Sequence, residues 1–485
     1  MKAISFERFG ILFCLFLACI FLLFPKVLTG FFSLWIQKII SAMSLYYLWF
    51  GSGVVLLCFA LALSPIGRIR LGHPKEKAQF SLFTWITMIF ASGIGSGLVF
   101  WGMAEPMTHF AHPPSMIDAS PTPMDDALAI TYFHWGLHAW SIYAIVGLIM
   151  AWFCFNQKRS MCIASSFSKT QNGWTQSINL FAVLAVIFGV AGTLANTLIL
   201  VQTGTETLLG DTLESNEFQV AALLLMALVF TLSSALGIKR GIANLSKVNL
   251  VLFLLLLISL IYFTGGTPVF EIFWHSSLSY VKLLPSFSWK IPPPMQQWSQ
   301  DWSINYFVWW IAWTPFVGAF MAMISRGRTI REFLLIGILV PTLTSMLWFS
   351  TFVAGAETFK LVPSILEAMQ QHYTQGLFVF FEQLPFGKAL TIIALVLLVT
   401  FVITSSDSAI YVSSILLRPE HKVDKQNKYI WSFVLVAITL ALIYKHDIDL
   451  NRQIAILGAI PYSLIMLAQV MSFLWHLLLK RSHFK

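Results

Sequence analysis

The chain has 485 residues, 58% hydrophobic and only 11% charged, with a mean hydropathy of +0.78. A soluble domain carries roughly 25% charged residues, so a water-soluble globule is excluded and a polytopic membrane protein is indicated. The net charge of +9 does not point to nucleic acid, because the basic residues sit in short loops between apolar runs, where they orient spans in a bilayer.

The apolar runs are continuous and about 20 residues long, not alternating, so the spans are helices and not barrel strands. Twelve are predicted, over residues 9–30, 44–64, 81–105, 125–155, 175–208, 218–236, 245–264, 302–324, 332–356, 388–413, 428–444 and 452–479. The opening MKAISFERFGILFCLFLACIFLLF is too long in its apolar part for a signal peptide and shows no small-residue cleavage site, so it is taken as span 1. With the N-terminus inside, segments 1–8, 68–77, 156–160 with Lys169, 238–241 with Lys247, 326–331, 418–428 and 480–485 are cytoplasmic. They carry 22 of the 30 Lys and Arg, which places both termini in the cytoplasm of a cell with this protein in its plasma (inner) membrane. The five cysteines, Cys14, Cys19, Cys58, Cys154 and Cys162, form no CxxC pair and read as buried thiols without a disulfide framework. Two longer external segments, 266–300 and 357–387, are expected on the membrane surface, with an amphipathic helix over 270–284.

Span 3 carries GIGSG (93–97), three glycines on alternate positions, and span 8 carries Thr314, Pro315 and Gly318. Both are expected to be broken. They lie five spans apart, and an odd-numbered block inserts upside down the second time. Broken helices at matching places in inverted halves indicate a secondary transporter with its site near the bilayer midplane. The division is 1–80 for two extra helices and a cytoplasmic loop, 81–264 for the first repeat, 265–301 for an external surface segment, and 302–485 for the second repeat.

Two spans offer an aromatic face. On an ideal helix Trp309, Trp310 and Trp313 project at about 0°, 100° and 40°, and Trp135, Trp140 and Tyr143 at about 0°, 140° and 80°. An interfacial belt would sit at span ends, and a dry core would favour Leu and Phe, because each indole N–H needs a partner. Six aromatic residues inside two spans suit a quaternary ammonium, which cannot donate a hydrogen bond and is held by π faces at about 2 kcal/mol or more when desolvated. A primary ammonium would want acceptors instead. A channel is the rival of a different class, and such a cage binds too tightly for fast conduction. No nucleotide-binding motif appears. His134 and His138, four apart, have a spacing that can hold a metal or haem edge, but need a matching pair elsewhere, and His109 and His112 are expected in a loop.

At these residues the chain resembles the betaine/choline/carnitine transporter family. NYFVWWIAWTPFVGAFMAMISRGRTIREF (305–333) is similar to the family's span-8 signature, and GIGSGLVFWGMAEP (93–106), YFHWGLHAWSIY (132–143) and FVITSSDSAIYV (401–412) match in order. The resemblance implies an all-α integral membrane protein with twelve transmembrane helices in the leucine-transporter-type 5+5 inverted repeat preceded by two extra helices. It further implies alternating access, a homotrimer and no enzymatic activity. The family carries its FHWGLH stretch without a metal. Its substrate box falls on Trp135, Trp140, Tyr143, Trp309, Trp310 and Trp313, with Trp313 as the main π contact and Trp309 and Trp310 on the external path. Gly93, Gly95 and Gly97 line the substrate, and branches that carry choline tend to have an acid at the position of Gly97. The neutral glycine here implies a zwitterion such as glycine betaine or carnitine. Sodium is the coupling ion that the resemblance implies, held by the carbonyls of Ala91, Ile94 and Phe401 and the hydroxyls of Thr404 and Ser405, a donor set that suits a hard cation. The alternative for Thr404 and Ser405 is a bond back to the i−4 carbonyl. A second family ion site falls on Val186 and Val190, which offer no oxygen. The sodium-independent exchangers place an arginine near the first ion site, where this chain has the uncharged VNLVLF (248–253). Phe307 and Met323 also depart from the family's usual Trp and Arg, and without the long charged tails of osmosensing members no tail-based osmotic switch is expected. Symport, exchange and choline transport all remain open at this level.

Overall fold

The computed structural model describes residues 6–93, 95–115, 121–170, 172–236, 242–417, 425–443 and 448–480. These are helical, with an isolated bridge between Arg70 and Thr329 joining two loops. In chain order the helices are α1 (Phe6–Leu23), α2 (Pro25–Leu63), α3 (Leu82–Gly93), α4 (Ser96–Ala111), α5 (Pro123–Trp135), α6 (Leu137–Ala151), α7 (Gly173–Leu209), α8 (Ser215–Leu236) and α9 (Ile242–Thr264). There follow α10 (Thr267–Trp289), α11 (Gln296–Ser299), α12 (Asn305–Ile324), α13 (Ile330–Thr358), α14 (Val362–Gln371), α15 (Gln375–Glu382), α16 (Gly387–Leu416), α17 (Lys425–Ile443) and α18 (Ile448–Lys480).

Local chemistry sets several ends. Asn172 accepts from the Thr175 amide in a capping box that opens α7, and Gly210, at φ +75°, closes it in the left-handed region. Thr329 and Glu332 form the equivalent box at the start of α13. The expected surface helix is α10, which buries Val269, Ser276, Tyr280 and Phe287 and exposes Phe270, Trp274, Leu278 and Val281.

Among the described residues, 11 helical stretches are long and apolar enough to cross a membrane. The expected span 81–105 is not one of them, because it is two helices of 12 and 16 residues. At 1.5 Å per residue each reaches about 18–24 Å, short of a hydrocarbon core of about 30 Å. Burial separates core from rim. The stretch over Gly173–Leu209 is 94% buried, and those over Pro123–Asn156 and Pro293–Ile324 are 89%, against 33% for Asn216–Ala235 and 28% for Phe6–Leu23. The core is therefore α5–α6, α7 and α12, and α3–α4 lean on it.

Two expectations about breaks are corrected. Span 8 is not broken: α12 runs through Pro315. α6, α7 and α18 pack around the helix, which is one way membrane helices tolerate proline. Gly318 serves helix packing instead: a Cβ on it would lie 3.0 Å from the Gly147 amide nitrogen of α6, so the two backbones touch. Span 4, expected to be continuous, breaks at Gly136, where φ −98° and ψ −126° separate α5 from α6. A Cβ there would sit 2.5 Å from the Tyr132 carbonyl oxygen.

Candidate functional site

The glycine stretch and the aromatic residues meet. A Cβ on Gly93 would lie 2.6 Å from Cη2 of Trp140, one on Gly95 2.8 Å from Cη2 of Trp313, and one on Gly97 3.2 Å from Cη2 of Trp135. Each alternate glycine thus lies against a different indole, and the α3–α4 break is where the backbone comes close enough for rings to lie on it. Gly95 is extended and heads α4, so the first amide groups of α4 lack intrahelical acceptors.

Five of the six predicted aromatics are buried and Trp309 is half-buried. Because span 4 breaks at Gly136, Trp135 ends α5 while Trp140 and Tyr143 belong to α6. The three do not share one helix face, as a continuous helix would have required, but the bend still brings them together. Trp135 meets Trp310 edge-on with centroids 4.9 Å apart, Tyr143 meets Trp310 at 5.9 Å, and Trp140 meets Tyr143 at 5.8 Å. Trp310 is therefore buried among Trp135 and Tyr143. Trp309 stacks on it from the outer side at 6.2 Å. Trp313 lies apart from that group, against Gly95, Gly189 of α7 and Phe316.

The hydrogen-bonding groups divide into committed and open. Trp310 Nε1 donates to the His134 carbonyl at 2.9 Å and Trp135 Nε1 to Glu105 Oε2 at 2.7 Å. The same carboxylate accepts the Tyr306 hydroxyl and stands 2.6 Å from His134 Nδ1 at its other oxygen. Trp309 Nε1, Trp313 Nε1 and the Tyr143 hydroxyl are buried without a protein partner, which leaves them available to a bound molecule.

Of the expected ion ligands, Ala91 is in the last turn of α3, Ile94 lies outside the described residues, and Phe401, Thr404 and Ser405 are buried on α16. Ser405 Oγ has no partner and would lie 3.7 Å from a Cβ on Gly95, so it fits a cation site beside the break. Thr404 is more committed. It donates back to the Thr400 carbonyl at 2.8 Å and accepts from Asn249 Nδ2 at 2.9 Å, leaving one lone pair. Asn249 belongs to the uncharged span-7 segment and directs an amide N–H at a predicted ligand. Val186 and Val190 are buried side by side on α7 and add no oxygen. Ser96 bonds Thr197 of α7, so its hydroxyl pins the start of α4.

His134 and His138 are parted by the Gly136 bend. His138 Nε2 lies 3.2 Å from Ser52 Oγ, away from Glu105. His109, expected in a loop, is buried in α4 with its ring 5.6 Å from that of His134.

Tyr306 was not picked out from the sequence. Its ring stacks on Trp309 at 6.2 Å and Trp310 at 5.8 Å and meets Trp135 edge-on at 5.7 Å. Its signal was present, since it lies three and four residues before Trp309 and Trp310 and so on the same helix face. Asn249 had no such signal, because only the packing of α9 on α16 makes it meaningful.

Residues 8–481 match the family described as BCCT, betaine/carnitine/choline family transporter. The chain is 36% identical over 444 residues to glycine betaine transporter OpuD of Bacillus subtilis (strain 168), covering 88% of this chain and 85% of that one. It is 34% identical over 453 residues to glycine betaine transporter 1 of Vibrio parahaemolyticus, covering 90% and 86%. Its fold is similar to that of MhsT, solved in complex with L-phenylalanine, with a TM-score of 0.51 and 14% identity over 83% of this chain and 96% of that one. The architecture is thus all-α and of the leucine-transporter type.

Proposed function

Because this chain belongs to the betaine/carnitine/choline family of transporters, we propose that it carries a quaternary-ammonium zwitterion, glycine betaine first among them, by alternating access as a secondary active transporter. It is a multi-pass membrane transporter and not an enzyme.

The observation that carries the substrate reading is the docking of three indoles on three glycines. A trimethylammonium group needs π faces and no hydrogen-bond acceptor, and Trp313, Trp140, Tyr143, Trp135 and Trp310 supply them. A carboxylate needs donors, and the free amides at the start of α4, with the positive end of its dipole, lie on the same glycines. Gly97 adds no negative charge that would repel the carboxylate. Trp309, half-buried at the outer edge, stands at the approach to the cluster.

Sodium coupling is the reading for the driving ion, with Ser405, Thr404 and the carbonyls of Phe401, Ala91 and Ile94 as its ligands. Sodium-independent exchange is the second reading, favoured by Asn249, whose amide N–H already occupies Thr404. The protein sits in the plasma (inner) membrane with both termini cytoplasmic, assembles as a homotrimer, and divides into two inverted repeats, 81–264 and 302–485.

The test is uptake of labelled glycine betaine, carnitine and choline into proteoliposomes, with an inward sodium gradient and with potassium in its place. Sodium-dependent uptake of betaine or carnitine supports both readings. Uptake that ignores sodium but needs internal substrate replaces symport with exchange, and preference for choline overturns the zwitterion reading.

A further inference from the structure

The acid and histidines beside the indole cluster touch neither substrate nor sodium in the proposed transport, which Glu105 serves only by holding Trp135. Glu105 and His109 lie one turn apart on α4, and His134 closes α5. One ligand-capable atom from each lies within 4.8 Å of the others, and all three side chains are buried. Glu105 Oε1 is 2.6 Å from His134 Nδ1 and 3.5 Å from His109 Nε2. Neither ring nitrogen of His109 has a hydrogen-bond partner, although the residue is only 1% exposed. A buried imidazole with both nitrogens unbonded is costly and calls for an ion or a water at that place.

We propose that in this chain, where His109 of α4 stands beside the stretch that the family carries without a metal, Glu105, His109 and His134 form a binding site for a divalent transition-type cation of the Zn2+ class. Ligand bonds of about 2.0–2.2 Å in a tetrahedral site set neighbouring ligand atoms roughly 3.3–3.6 Å apart. The Glu105–His109 pair already has that separation. The Glu105–His134 pair is at hydrogen-bond length and opens by about 1 Å as the ion replaces the proton between them. Two imidazoles and one carboxylate select a nitrogen-binding ion over sodium, magnesium or calcium, which take oxygen ligands.

The groups behind these ligands are those a metal site requires. His134 Nε2 is 2.9 Å from Ser303 Oγ, which turns Nδ1 toward Glu105. Glu105 Oε2 is fixed by Trp135 Nε1 and the Tyr306 hydroxyl. An ion here therefore ties α4 and α5 to the residues that hold the indole cluster, and its binding slows transport. The site itself does not rest on the transport reading, whereas this inhibition does.

The experiment uses the full chain, purified and stripped of metal with a chelator, titrated with Zn2+ by calorimetry and with Co2+ by visible absorption. The variants are His109→Gln, Ser303→Ala and, as a control, the exposed neighbour His112→Gln. One saturable ion per chain is expected, with a tetrahedral Co2+ band. Ser303→Ala weakens binding by about 10- to 100-fold, His109→Gln abolishes it, and His112→Gln leaves it unchanged. Thermal melts in chelator show that each variant is folded, and His109→Asn replaces His109→Gln if the latter is not. Absence of saturable binding to the parent chain, or binding by the folded His109 variant as tight as the parent's, overturns the site. Uptake with and without Zn2+ is the separate arm: binding without loss of uptake retains the site and removes its inhibitory role.

Discussion

A Cβ on Gly93 would sit 2.6 Å from Cη2 of Trp140, closer than any real side-chain carbon approaches a ring. The glycine belongs to the end of α3 and the indole to α6, so the contact fixes the break in span 3 against the core. The same holds with more room at Gly95 and Gly97, where the distances are 2.8 and 3.2 Å.

Those three distances order a substitution series. Gly93→Ala and Gly95→Ala force an indole to move and cost about 1–3 kcal/mol by overpacking, with glycine betaine uptake lost or nearly so. Gly97→Ala is tolerated, because the Trp135 ring tip has only a few tenths of an ångström to give. Uptake and melting temperature measured together check the order; equal effects at all three would show that ring contact does not set the tolerance.

Trp313→Ala removes the indole that lies on Gly95 and leaves the connected group around Trp310 in place. Loss of a π face worth about 2 kcal/mol raises the KM for glycine betaine roughly 30-fold. Trp313→Phe recovers part of it, and Trp309→Ala, at the half-buried edge, changes KM less. Tryptophan fluorescence titration with betaine gives the same ranking if the effect is on binding.

Glu105 holds three groups from α5 and α12 at once: His134, Trp135 and Tyr306. Glu105→Gln turns an amide nitrogen toward donors, and an unpaired buried donor costs about 1–3 kcal/mol. A lower melting temperature and a raised KM for betaine are expected together. A melting temperature equal to that of the parent chain would mean that the hub carries no structural load.

Ser405 and Thr404 separate by how committed their hydroxyls are. Ser405→Ala removes an oxygen without a protein partner and raises the sodium concentration needed for half-maximal uptake. Thr404→Val removes one already bonded to Thr400 and Asn249, and does so less. Asn249→Leu takes away the competing N–H, so half-maximal uptake comes at a lower sodium concentration. Uptake against sodium concentration in all three variants tests this, and a flat response throughout would favour exchange.

Membrane class, helical spans and their approximate places were legible in the sequence, because hydropathy is a local quantity and a long apolar run has one stable solution in lipid. The glycine break in span 3 was legible too, since three glycines on alternate positions weaken any helix. The state of Pro315 and Gly136 was not. Proline was kept helical by the helices packed around α12, and of the two glycines in span 4 only Gly136 became a bend, in a conformation where a Cβ would meet the Tyr132 carbonyl. The same tertiary packing set His109 beside His134, Trp310 inside the cluster and Asn249 on Thr404. Sequence spacing describes one straight helix at a time, whereas these relations join residues 25 to 176 positions apart across different helices, which only the folded backbone brings within a few ångströms.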